Sequence, residues 1–168
     1  MPRGLKQTSE IVAIGFSVDE SAANTFTQGS VDLNLSPLDR EVFVVLAVNL
    51  DPFTPDMTLG TNTSVQCSMT STSQSAITNL SNSNCIAAAG NFIRSNATGA
   101  VAFQSGFYET PPATLDYIGI IATNDFFIQV IGDGNTAARG VDGKVYGYRA
   151  VADASIYSAL VQSEVLSA

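Results

Sequence analysis

The stretch that most constrains this chain is residues 40–51, REVFVVLAVNLD. In an extended backbone its side chains fall alternately on two faces. Val42, Val44, Leu46, Val48 and Leu50 form one row; Phe43, Val45 and Ala47 form the other. Both rows are apolar. The β-branched content and the length predict a central strand rather than a helix. Such a strand needs cover on each side. A second sheet supplies one side; a long loop or a neighbouring subunit is expected on the other. The proline-bearing DPFTPD that follows ends the strand with a firm turn.

The rest of the chain repeats this grammar of short apolar runs between polar turns. Residues 9–18 place Val12, Ile14, Phe16 and Val18 on one face, and residues 25–35 do the same with Val31, Leu33 and Leu35. Ser36-Pro37 breaks that second run, since proline cannot donate to a ladder. Within the Ser/Thr/Asn-rich segment 58–84, Val65, Cys67 and Met69 alternate with Gln66 and Ser68; the remainder reads as an exposed loop. Residues 85–94 and 100–108 read as strands, the latter with Val101, Phe103 and Phe107 inward and Glu109-Thr-Pro-Pro as its end. Residues 117–122 and 126–131 read as a hairpin across Thr123-Asn124-Asp125, because Asn and Asp tolerate turn conformations. An exposed, adaptable loop is expected over 132–143, then a strand over 144–151 with Tyr146 and Tyr148 on one face. From Asp153 or Ser155, either a fitting cap, Ile156, Tyr157, Leu160, Val161 and Val165 recur at helical spacing.

This pattern predicts an all-β fold. The expected form is an antiparallel β-sandwich, a single jelly roll of about eight strands with a short C-terminal helix. The expected divisions are an N-terminal arm over 1–8, the sandwich over 9–152 and a helical tail over 153–168. At 168 residues the chain suffices for one domain.

Charge and composition narrow the function. Only 13% of residues are charged, about half the usual share, and the polar character comes from Ser, Thr, Asn and Gln. Such a surface suits contact with neighbours, because charges are costly to desolvate. The net charge of −8 and scattered basic residues disfavour nucleic-acid binding. Only MPRGLKQ is locally positive, through Arg3 and Lys6. No run is long enough to span a bilayer, and no signal peptide is read at Met1, so the four Asn-x-Ser/Thr triplets predict no glycosylation.

Catalytic chemistry finds little purchase. The chain has no histidine, which removes the commonest general base and the Ser-His and Cys-His nucleophile systems. The carboxylate pairs Asp51/Asp56 and Asp19/Glu20 read as loop acids rather than a glycosidase couple. Cys67 and Cys85 bracket the hydroxyl-rich segment; two buried thiols are favoured over a disulfide. Asp133-Gly134-Asn135 with Asp142 opens like a calcium loop but has Lys144 where a glutamate is needed, so a glycine turn is favoured. Tyr108 and Tyr117 flank Pro111-Pro112 as the one candidate sugar platform. Arg149 is expected either exposed or paired with an acid on an adjacent strand or subunit. No catalytic, metal or cofactor-binding residue is therefore expected.

In its strand count, size, low charge and basic arm, the whole chain resembles single jelly-roll virion proteins. These include capsid shell subunits and the cement proteins that decorate a capsid. The resemblance implies a non-enzymatic virion structural protein made in host cytoplasm. Its partners would be other copies of itself and other virion proteins. A decorating role, and a carbohydrate-binding module or adhesin head, are the alternatives. Arg3, Lys6, Asp133, Arg139, Ile156, Tyr157, Leu160 and Val161 are the candidate assembly residues.

Overall fold

The computed structural model describes residues 2–107 and 115–167. Ten strands and one helix follow in the order β1 (Leu5–Gln7), β2 (Val12–Asp19), β3 (Thr27–Asp32), β4 (Glu41–Pro52), β5 (Thr63–Thr70), β6 (Cys85–Ser95), β7 (Val101–Phe107), β8 (Gly119–Ile121), β9 (Asp125–Asp133), β10 (Gly140–Ala152) and α1 (Ala154–Leu166). All the strand pairings are antiparallel. The first sheet runs β2-β10-β4-β8, with β1 sharing β2's side of β10; the second runs β3-β9-β5-β6-β7. The chain crosses between sheets at β2→β3, β3→β4, β4→β5, β7→β8, β8→β9 and β9→β10. With β1 and β7 set aside, this order is a single jelly roll.

The apolar rows explain the packing. Ile14, Phe16 and Val18 of β2 and Val141 and Val145 of β10 face Val65, Cys67 and Met69 of β5 and Phe126, Ile128 and Val130 of β9 across the sandwich. Phe16 and Phe126 meet edge to face at 5.9 Å. β4 lies between two cores. Phe43 and Val45 point into the sandwich, whereas Val42 and Val44 point outward beneath Ile156, Tyr157, Leu160 and Val161 of α1. The cover required by a doubly apolar strand thus comes from the chain's own helix. Asp153 caps that helix by accepting from the Ile156 N–H at 2.9 Å.

One irregularity re-sorts β4. Tyr146 pairs with Ala47, but Gly147 pairs with Val45, so Leu46 is an extra residue in a bulge. Leu46 stays with Val42 and Val44 on the helix side, while Val48 and Leu50 join the inner core. The expected single row of five is therefore split. Opposite the bulge, Gly147 lets the backbone approach: a β-carbon there would lie 2.3 Å from the Val44 carbonyl oxygen and 2.5 Å from the Phe43 ring.

Other expectations are corrected. β8 pairs with β4 and β9 pairs with β3 and β5, so residues 123–125 join two sheets and make no hairpin. Asn124 serves that corner by reaching across: its Oδ1 accepts from Leu35 N and its amide donates to Asp32. Val101 and Phe103 lie on the inward face of the second sheet, as expected, but are not buried there; they are 47% and 59% exposed. Phe107's side chain lies outside the described residues. Nor is the span 132–143 a free loop. Strands β9 and β10 take up half of it, and Asn135 between them is buried. Finally, the hydroxyl-rich segment folds back over the outer face of the second sheet. Gln28 donates to Ser73, Thr78 to Ser68, and Asn84 to Thr72. Beneath it Gln129 is wholly buried and fully satisfied by Ser68, Thr70 and Gln28.

Candidate functional site

The candidate assembly residues divide into three groups. Arg3 and Lys6 are exposed on the arm, which docks on its own domain: Leu5 is buried, and Leu5–Gln7 pair with Ala150–Ala152. Gly4 makes that docking possible. Its φ is +77°, and a β-carbon would fall 2.1 Å from the Ile156 side chain. Its carbonyl accepts from Asp153 N, so the arm and the start of α1 are tied together. The second group, Ile156, Tyr157, Leu160 and Val161, is half-buried against the molecule's own first sheet.

Asp133 and Arg139 form the third group. Asp133 is exposed at the end of β9, opposite Ser64. Arg139 belongs to an internal knot. Its guanidinium pairs with Asp56, and its N–H donates to buried Glu20 at 2.8 Å. Glu20 also accepts from Gly132 N and Thr25 N. Asn135 adds bonds to the Ser64 carbonyl and to Asp56 N. This explains why Asp133-Gly134-Asn135 is a structural turn: its asparagine is spent on backbone partners. Among the described residues no group of three or more Cys, Asp and Glu side chains stands placed to hold a metal.

The remaining sequence features resolve individually. Cys67 and Cys85 are free thiols, with Cys67 pushed up to about 12 by burial and Cys85 raised by the same cause. Arg149 lies 3.5 Å from Glu41 on the neighbouring strand and donates to the carbonyls of Leu33 and Asn34. Tyr117 is partly exposed, whereas Tyr108 and Pro111-Pro112 lie outside the described residues.

Two surface features were not singled out as candidate sites in the sequence. The first is β7, a fifth strand on the second sheet that packs against β6. Phe103 lies directly across from Ile93, and Ser105 from Asn91, so this row shares the inward face. Among the described residues the first sheet ends in the three-residue β8 and no strand pairs with the outer edge of β7, where Phe103 and Val101 are exposed.

The second feature is an open cavity of about 300 Å³ at the far end of α1. Phe127, Val165 and Thr123 line it together with Ser71, Asp125 and Glu164. Glu164 is 6% exposed and accepts from Ala122 N at 2.8 Å and Thr123 N at 3.0 Å. Burial raises its pKa above the ordinary glutamate value, and the backbone donors pull against that. It was unreadable in sequence because a lone glutamate on a helix gives no hint of what it meets. Compared with protein-family models, curated proteins and solved structures, the chain finds no match in any of the three.

Proposed function

We propose that this protein is a non-enzymatic virion structural protein, a capsid shell subunit acting through repeated contacts with copies of itself. The observation that carries the reading is the β7 overhang. A strand edge that is unpaired among the described residues and bears exposed Val101 and Phe103 is a liability for a lone molecule. It becomes an asset where another subunit's strand or apolar surface completes it. The jelly roll supports the reading, since capsid domains use this architecture, though lectins do too. Low charge density lowers the desolvation cost of covering the remaining surface. Negative-stain electron micrographs of the concentrated protein should contain rings or closed particles of uniform size. Fields of lone monomers would overturn the proposal.

A further inference from the structure

We propose that β7 pairs edge to edge with β7 of a second copy, antiparallel and centred on Gln104. The contact rests on the assembly reading above and gives it a partner strand, a register and a symmetry.

Among the described edge strands, β7 alone lacks protection. β1 carries Lys6, β2 ends in Asp19, β3 ends in Asp32, and β8 is only three residues long. Charge and shortness are two of the ways in which sheets keep their edges from pairing. β7 has neither. Its seven residues, VAFQSGF, hold no charge and no proline, and they pair with β6 from Val101 to Phe107 without a bulge. No strand among the described residues lies on its other side.

The hairpin sets which backbone groups of β7 are free. Asn96 N donates to the Ala100 carbonyl at 3.0 Å, so that pair is a hydrogen-bonded one. Antiparallel pairs alternate between bonded and non-bonded. Ala102, Gln104 and Gly106 therefore bond to β6, while Val101, Phe103, Ser105 and Phe107 turn their N–H and C=O groups outward. A two-fold axis at Gln104 sets Val101 opposite Phe107 and Phe103 opposite Ser105. Every outward-turned residue then meets another, and each pair can exchange both bonds. A slip of one residue would set free groups against groups already used by β6.

The side chains suit the same axis. A two-fold contact brings a strand against itself, so any charge at the axis meets its own copy. In a molecule of net charge −8, an uncharged strand is the one that tolerates this. Gln104 is exposed and faces its own copy, and a carboxamide both donates and accepts. Phe103 lies beside the small Ser105 of the second copy and diagonal to that copy's Phe103, within reach of ring-to-ring contact. The pairing thus covers an aromatic ring that is 59% exposed in the lone chain.

Cysteine placement tests the register. In a Cys85→Ser background, which removes the partly exposed native thiol, Gln104→Cys and Ala102→Cys are mildly oxidised and followed by non-reducing electrophoresis. The two Cα atoms at position 104 would stand roughly 4.5 Å apart, within disulfide range, and those at position 102 about 13 Å apart. Gln104→Cys should therefore form the disulfide dimer at least about tenfold faster. Charge tests the symmetry. Gln104→Lys and Gln104→Glu, each altering only an exposed side chain, should each raise the assembly dissociation constant by about tenfold, and their equal mixture should restore it. If the wild type assembles by mass photometry but Gln104→Cys links no faster than Ala102→Cys, the β7 pairing is wrong while the assembly reading stands. A mixture no stronger than its components places β7 against some other surface and also overturns the pairing. A wild type that never assembles removes both.

Discussion

Glu164 and Asp153 sit at opposite ends of one helix and should respond to pH in opposite senses. Glu164 is raised chiefly by burial, so folding favours its neutral form. Its contribution is full below the ordinary glutamate pKa and is lost as pH rises through the raised value. Urea unfolding should therefore find the wild type's margin over Glu164→Gln larger near pH 4 than at pH 7. Asp153 is lowered, first by the hydrogen bond from Ile156 N. Its contribution is present above the ordinary aspartate pKa and lost as pH falls through the lowered one, so Asp153→Asn should show the reverse trend. Glu164→Ala, which strands the Ala122 and Thr123 N–H groups, should cost about 1–3 kcal/mol. The thiols offer a separate check. With its pKa near 12, Cys67 is thiolate in only about one molecule in ten thousand at pH 8. Mass spectrometry after brief alkylation should find Cys85 modified first and Cys67 only after unfolding.

At the scale of elements, α1 is what lets β4 be apolar twice. Leu160→Asp places a charge in the apolar layer over Val42 and Val44. Limited proteolysis should then cut within residues 153–167 while the sandwich persists; an uncut helix would show that the docking is held elsewhere. Gly147→Ala should cost about 1–3 kcal/mol, since a methyl there meets backbone as well as the Phe43 ring. The strands were legible where one residue in two is apolar: all nine sequence runs fall on β2 to β10. The tenth, β1, is three residues with Lys6 and Gln7 exposed, too short for a period to show. The misreadings share a cause, in that local pattern cannot report which sheet a strand joins. Thr123-Asn124-Asp125 has hairpin chemistry, yet Asn124 spends it pinning the β3–β4 connection. Val101 and Phe103 alternate as core residues do, but among the described residues no opposing strand buries them. Leu46 is indistinguishable in sequence from its neighbours, so the bulge that flips Val48 and Leu50 inward left no trace.

At the scale of the whole molecule, the sandwich is closed on most sides by its own parts. The helix covers the first sheet, and the hydroxyl-rich segment covers a polar layer on the second. The candidate surface was the part least legible from sequence, because exposure is decided by what lies opposite. Of the eight assembly candidates, Ile156, Tyr157, Leu160 and Val161 turn inward and Arg139 is paired at home. What remains exposed is Arg3, Lys6 and Asp133, and beside them the unforeseen β7 edge and the α1 cavity. We propose that copies of this same molecule cover that surface. Sedimentation velocity over rising concentration, run on the wild type and on Phe103→Ser, tests it most directly. The wild type should shift to a discrete, larger species, and Phe103→Ser should need about tenfold more protein to do so. A single monomer boundary for both proteins at every concentration would contradict it.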